Sequence, residues 1–186
     1  TRNAVSMMKE YDPSLFYRME ATFHRTVNDP IGTGYKGISH SSSTMNAPAL
    51  MMLHKLGYAY GGHYTKYDGT TFMTDALFDI KYLMDKTGNT SFVGTRVKVP
   101  EEYKLTTEYT EGDATYKFYN NPNAIGLGMV SSPSIEDVSL SEDNPFENQN
   151  MVFNALAGTT KEYFTKIPVI NSEMENVSTS QLTDGH

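Results

Sequence analysis

The sequence predicts a mixed α+β fold of the broad α/β class: a single domain with a mixed central sheet flanked by helices. Helix-like and strand-like patterns alternate along the chain and do not separate into two halves. The composition, with 38% hydrophobic and 20% charged residues, is that of a globular protein. The 186 residues suit one domain. We place it at residues 1–168, followed by a polar tail at 169–186 that leads toward a next module.

The first predicted element is a strand over Leu15–Phe23, where alternate residues are apolar. This alternation puts Arg18 and Glu20 on the same side of the strand. A long loop is predicted over residues 28–44, because proline and glycine interrupt regular structure there.

Two helices and a strand are predicted next. Leucines at helical spacing and an early proline predict a helix over residues 45–56, with the hydroxyl residues 41–44 as candidate N-caps. A short helix over residues 70–78, with Phe72 among its inward side chains, leads into a buried strand over 79–84.

The middle of the chain is predicted to be rich in strands. Stretches of β-branched and aromatic residues are separated there by proline, glycine and asparagine turns. The four predicted strands are 95–99, 103–110, 114–120 and 126–130.

One helix and one strand complete the prediction. The run NPFE at residues 144–147 supplies a cap, a first-turn proline and a capping-box glutamate, and Gly158 ends the helix. A last strand is predicted over Glu162–Ile167.

The composition excludes several classes of function. The net charge of −7 argues against a nucleic-acid partner, since such binding depends on neutralising phosphates with lysine and arginine. The lack of cysteine excludes disulfides, thiolate metal sites and a cysteine nucleophile. Residues 31–67, however, contain no Asp or Glu but several lysines and histidines, so this window is locally basic.

Motifs for cofactors, metals and hydrolysis are incomplete. Residues 32–37 (GTGYKG) have the letters of a dinucleotide-binding motif, but no strand precedes them. The motif also needs an acidic residue about 20 positions further on, and that position lies within residues 31–67, which contain none. Residues 37–41 (GISHS) lack the final glycine of a serine-hydrolase elbow. The histidines have no metal-ligand spacing. We therefore predict no cofactor and no metal.

Four residues of the basic window are candidates for binding a phosphate: Lys36, His40, Ser42 and Ser43. Glycines, hydroxyls and the start of a helix are features that hold anions in proteins. The alternative, an ordinary loop with a helix cap, stays open on the sequence alone.

A polar cluster is predicted to support this site. Arg18 lies on the first strand, Asn28 and Asp29 follow it, and Lys81 lies on the strand over 79–84. The alternative is a purely structural network of ion pairs.

Two tyrosines, Tyr60 and Tyr64, are candidates for contacting a sugar. They flank two glycines, and amphipathic rings on a flexible loop suit the apolar faces of sugars. Ordinary tyrosines of a hairpin are the open alternative.

Six segments, in order, resemble one known family. They read FYRMEATF, NDPIGTGYKGISHSSSTMN, HKLGY, TDALFDIKYLM, YKFYNNPNAIGLGMV and NPFENQNMVFNALAG, between Leu15 and Gly158. The series resembles the large extracytoplasmic region of bacterial membrane proteins of the YfhO type.

The resemblance implies a parent protein at the cell membrane, similar to C-type glycosyltransferases, which take sugar from a polyprenyl-phosphate carrier. The expected acceptor is a phosphate-bearing envelope glycan such as lipoteichoic acid, and this domain is expected on the extracytoplasmic side. Such enzymes carry their catalytic carboxylate on a loop between membrane helices. No catalytic residue is therefore assigned here, and the domain by itself is expected to be non-catalytic.

Two other functions stay open. The first is a non-catalytic structural or partner-binding domain, which a large exposed apolar patch without a polar cleft would favour. The second is a free-standing hydrolase, for which the sequence offers no complete nucleophile, metal or paired-carboxylate motif.

Overall fold

Five α-helices and nine strands occupy the part of the chain that the computed structural model describes, residues 1–88, 93–94 and 97–167. The helices are α1 (Arg2–Tyr11), α2 (Asp29–Thr33), α3 (Ala47–Lys55), α4 (Phe72–Leu77) and α5 (Pro145–Ala157). The strands are β1 (Arg18–Ala21), β2 (Phe23–His24), β3 (His40–Ser41), β4 (Ala59–Gly61), β5 (Tyr64–Lys66), β6 (Ile80–Gly88), β7 (Val93–Gly94), β8 (Lys104–Glu111) and β9 (Ala114–Asn120). Each of these helices falls short of the length and apolarity that crossing a bilayer requires.

The central sheet has four strands in the order β1-β6-β9-β8. Strand β1 runs parallel to β6, whereas β9 is antiparallel to both β6 and β8. Parallel neighbours need a crossover, and the segment between β1 and β6 supplies it with α2 to α4 and the small sheet β3-β5-β4. The predicted mixed α+β fold with a mixed central sheet is confirmed.

Helix α1 covers the central sheet. It was not predicted, because the first element predicted from the sequence is the strand that begins at Leu15. Its Ala4, Val5 and Met8 are buried at helical spacing and join the core beside Met19 and Ala21 of β1. The apolar side predicted for the first strand therefore does face the core.

Helix α5 begins and ends where the sequence predicts. Asn144 caps its first turn, and Gly158 closes it at a φ of 63°. Its buried face is partly polar: Asn148 and Gln149 donate hydrogen bonds to the carbonyls of Lys55 and Leu56, at 2.7 and 2.8 Å. These amides satisfy carbonyls that the end of α3 leaves without intrahelical partners.

The first predicted strand is shorter than expected. Only residues 18–21 and 23–24 form strands, and Leu15 is 71% exposed. The loop predicted over residues 28–44 contains α2 and β3. In the short helix α4, Phe72 points outward and is 44% exposed, whereas the prediction placed it inside.

Two predicted strands are wrong. Residues 126–130 form no strand, because Gly126 takes a positive φ and its amide donates to the Asp79 carboxylate at 3.2 Å. Residues 162–167 form none either, since backbone amides there donate to Asn150 of α5 instead of to a neighbouring strand. The strand predicted over 95–99 is not found at 97–99, and its first two residues lie outside the described part of the chain. The whole predicted tail, 169–186, also lies outside it.

Candidate functional site

A groove of about 560 Å³, here called the Lys36 groove, lies between the segment that follows α2 and the side of α3. Its apolar wall consists of Pro30, Ile31, Tyr35, Ile38, Met45, Ala49, Leu50 and Leu53. Its polar lining consists of Lys36, Ser39, His40, Thr44, Asn46 and Thr65. None of the described residues that line it is an aspartate or glutamate, in keeping with the lack of acidic residues in the sequence window 31–67.

Three of these polar residues, Lys36, His40 and Thr65, offer groups to a ligand within a mostly apolar surface. Lys36 is exposed, donates a hydrogen bond to the Leu15 carbonyl, and retains further ammonium hydrogens for a ligand. His40 and Thr65 lie opposite each other on β3 and β5. Their Nδ1 and Oγ1 atoms are buried and have no hydrogen-bond partner among the described residues. An anion with an apolar part would match this combination of a cation, unpaired polar groups and an apolar wall.

Glu20 of β1 fixes the wall of the groove from inside. Its side chain is buried, and its Oε1 accepts the backbone amides of Ile38 and, at 3.0 Å, Ser39. Burial raises the pKa of Glu20 to about 7, although those two amides act in the opposite direction. The Glu20 carboxylate lies so close to the backbone at position 37 that only glycine fits there. A Cβ on Gly37 would lie 2.7 Å from Glu20 Oε1 and 2.8 Å from Pro30 Cγ.

A second concavity of about 640 Å³, here called the Asp75 cleft, is lined by a buried carboxylate. Asp75 Oδ2 accepts hydrogen bonds from the hydroxyls of Tyr67 and Tyr103, at 2.8 and 2.7 Å. Burial raises the pKa of Asp75 to about 6, which the two tyrosine hydrogen bonds partly oppose. The sequence alone predicts no role for Asp75, because its tyrosine partners become neighbours only on folding.

The phosphate candidates separate into two pairs. Lys36 and His40 line the same groove, whereas Ser42 and Ser43 are not part of its lining. The Ser42 hydroxyl instead accepts the backbone amide of Thr44 at 3.2 Å. Helix α3 is capped by Asn46 and not by residues 41–44, which places its start after the predicted phosphate ligands.

The tyrosine candidates lie on the hairpin β4–β5. Tyr60 stacks on His54 with ring centroids 4.8 Å apart, and Tyr64 meets His63 edge to face at 5.8 Å. Neither ring lines the groove or the cleft. A sugar-binding role for these tyrosines stays a prediction.

The predicted polar cluster is divided among different partners. Arg18 donates to the Phe78 carbonyl at 2.8 Å, whereas Lys81 forms an ion pair of 2.6 Å with Asp12. Asn28 exchanges hydrogen bonds with the backbone of β3, and Asp29 accepts amides of the turn before α2. The contacts of Asn28 and Asp29 stabilise β3 and the turn before α2, beside the groove. A direct role of the four residues in binding stays a prediction.

Comparison with known proteins identifies a family that matches this chain. Residues 1–185 match the family described as bacterial membrane protein YfhO. No curated protein and no solved structure shows a significant match. Within the described residues, no group of three or more His, Asp or Glu side chains is placed to hold a metal ion.

Proposed function

The chain belongs to the YfhO family of bacterial membrane proteins, and on that basis we propose that it is the extracytoplasmic domain of a membrane glycosyltransferase-like protein. In this proposal the domain assists the transfer of sugar from a polyprenyl-phosphate carrier to an envelope polymer such as lipoteichoic acid. It does so by holding a phosphate-bearing substrate, and it supplies no catalytic residue itself.

The observation that supports this proposal is the acid-free lining of the Lys36 groove. A phosphate brings negative charge, and none of the described residues that line the groove is a carboxylate that would repel it. The Glu20 carboxylate lies behind the wall, where burial raises its pKa to about 7, so that much of it is protonated at neutral pH. The ammonium of Lys36, which also donates to the Leu15 carbonyl, and the buried Nδ1 of His40, which has no partner among the described residues, are groups that a phosphate oxygen or hydroxyl can engage.

The apolar wall favours the lipid-linked donor over the polymer acceptor. Ile31 is 66% exposed, and Ile38, Leu50 and Leu53 continue the apolar surface along the groove. A polyprenyl chain gains free energy by leaving water for such a surface, whereas a glycerol-phosphate polymer has little apolar area to bury.

The test is a chemical-shift titration of the isotopically labelled chain with three probes: geranyl phosphate, geraniol and glycerol phosphate. We expect geranyl phosphate to bind best and to shift residues 30–53, with weaker binding at high salt. Equal binding of glycerol phosphate would favour the polymer acceptor. Shifts outside the groove, or none, would contradict the proposal.

Two lysine variants separate a specific contact from general charge. Lys36→Met is expected to weaken geranyl phosphate binding by about threefold to tenfold. Lys104→Met removes an exposed lysine on β8, outside the groove, and serves as the matched control with unchanged affinity. In the intact membrane protein, the double variant Lys36→Ala, His40→Ala should decorate less polymer. Normal decoration at normal protein levels would refute the role of these two residues.

A specific observation also favours a second candidate, a non-catalytic domain that packs against membrane helices or a partner protein. Leu15 and Phe16 are 71% and 74% exposed, and Val130 is fully exposed. Arg18 and Gly126 both bond to Asp79, so these two apolar segments approach the same end of the central sheet. Loss of binding to the membrane part of the protein in a Phe16→Ser, Val130→Ser variant, with unchanged geranyl phosphate affinity, would support this candidate.

A further inference from the structure

The Asp75 cleft is built where two loops meet below the start of α4. Gly57 and Gly69 approach so closely that a Cβ on Gly69 would lie 2.5 Å from the Gly57 carbonyl oxygen. Both glycines have positive φ and line the cleft. A side chain at Gly69 would clash with the opposite loop, so glycine allows the close contact of the two loops that forms this wall of the cleft.

Asp75 has one carboxylate oxygen left to bond. The side chain is 2% exposed, and the two tyrosine hydroxyls hold its Oδ2. Oδ1 is covered and has no hydrogen-bond partner among the described residues. Buried polar atoms of folded proteins are nearly always paired, and an unpaired carboxylate oxygen carries a desolvation cost that a donor from a ligand would remove.

Among the described residues, the lining of the cleft carries two bases and two acids. Lys66 Nζ lies 3.5 Å from Asp68 Oδ2. The other base of the lining is Lys98, and the other acid is Asp75. Threonines at positions 70 and 71 add hydroxyls to the wall. Equal numbers of acids and bases favour a neutral polar ligand over an anion, in contrast to the acid-free Lys36 groove.

At the cleft, Phe72 offers an apolar surface. Its ring is 44% exposed and contacts Phe164 on one side, with ring centroids 5.7 Å apart. An exposed aromatic ring beside a hydrogen-bonding carboxylate suits a pyranose, which has an apolar face and a rim of hydroxyl donors.

We propose that the Asp75 cleft is a binding site for a neutral hexopyranoside, in which a sugar hydroxyl donates to Asp75 Oδ1 and the sugar's apolar face lies on Phe72. Because Oδ1 is covered, entry of the sugar requires a small side-chain adjustment at the cleft wall. The site is separate from the Lys36 groove, so it stands whether or not phosphate binds there.

The test uses the labelled chain and methyl β-D-glucopyranoside, which has no charge. We expect shifts at Gly57, Gly69, Thr70 and Phe72, with the groove residues unaffected. Glycerol phosphate should leave the cleft unchanged. No cleft shifts up to the solubility of the glucoside, or equal shifts with glycerol phosphate, would overturn the proposal.

Two phenylalanine variants give a matched comparison. Phe72→Ala should weaken glucoside binding about fivefold, because it removes the stacking surface. Phe146 also contacts Phe164 and is 52% exposed, but it does not line the cleft, so Phe146→Ala should bind normally. Equal effects of the two variants would contradict the assigned position of the sugar.

The carboxylate is tested by Asp75→Asn, which should weaken glucoside binding at least about tenfold. A thermal unfolding measurement establishes that the variant is folded. If Asp75→Asn does not fold, the comparison of Phe72→Ala with Phe146→Ala decides the proposal. A folded Asp75→Asn variant with normal affinity would refute the hydrogen bond to Oδ1.

Discussion

Replacing Glu20 by glutamine is expected to remove much of the dependence of stability on pH between about pH 5 and pH 8. Glu20 is 2% exposed, and burial raises its pKa from an ordinary value of 4.5 to about 7. The folded chain therefore holds a proton on Glu20 that the unfolded chain releases at lower pH. This contribution to stability is fully present below pH 4.5 and is lost as the pH rises through about 7.

The magnitude follows from the two pKa values of Glu20. One pKa unit corresponds to about 1.4 kcal/mol, so the whole change amounts to about 3 kcal/mol. Between about pH 5 and about pH 8 the free energy of unfolding should fall by about 2–3 kcal/mol through Glu20 alone. Glutamine keeps an oxygen acceptor for the amides of Ile38 and Ser39 but has no proton to release.

The assay is urea unfolding of the wild type and the Glu20→Gln variant at about pH 5 and about pH 8, with the free energy of unfolding obtained by linear extrapolation. Any change in stability that the glutamine side chain causes equally at every pH cancels, because only the difference in the free energy of unfolding between the two pH values is compared. Glu108→Gln, at an exposed position of β8, is the control and should keep the full dependence. An equal fall in stability in the wild type and the Glu20→Gln variant would refute the assignment of this proton to Glu20.

Two further predictions concern the surroundings of the groove and the start of the sheet. Gly37→Ala should lower the free energy of unfolding by about 1–3 kcal/mol, because the added Cβ would overlap the Glu20 carboxylate and Pro30. In the control Gly32→Ala the added Cβ meets nothing within 4 Å, so stability should change little. Equal losses of stability for the two variants in urea unfolding would contradict the packing of Gly37. Burial of Asp12 opposes its ionisation, but hydrogen bonds, above all from Lys81, hold the pKa of Asp12 well below its ordinary value of 3.8. The stability that ionised Asp12 contributes is thus present above pH 3.8 and is lost as the pH falls below it. The Asp12→Asn variant should therefore be less stable than the wild type at neutral pH and lose less stability on acidification. Acid unfolding followed by circular dichroism tests this, and parallel transitions of wild type and variant would show the reasoning to be wrong.

Local chemistry determined the parts of the fold that the sequence predicted well. The capping residues and first-turn proline at 144–147 defined the start of α5, and Gly158 its end. The alternation in residues 18–23 identified the core side of the first strand. These signals concern neighbours a few residues apart, so they act before distant parts of the chain meet.

The candidate groove was partly visible for a similar reason. An acid-free window of the sequence gave Lys36 and His40, and both line an acid-free groove. Ser42 and Ser43 lie outside it because α3 begins later than predicted: Asn46, not a residue of 41–44, caps the helix by accepting the amide of Ala49.

Only the tertiary structure decided which polar groups are buried. Glu20 becomes a structural residue of the groove because the backbone at 38–39 folds over it, and Asp75 meets Tyr103 only after the chain has returned from β6. The predicted strand at 162–167 failed because the side chain of Asn150 satisfies backbone amides there. The sequence by itself determined local elements and the distribution of charge. The burial of particular carboxylates, and hence their raised pKa values and both candidate sites, depends on contacts between distant segments, which no local pattern encodes.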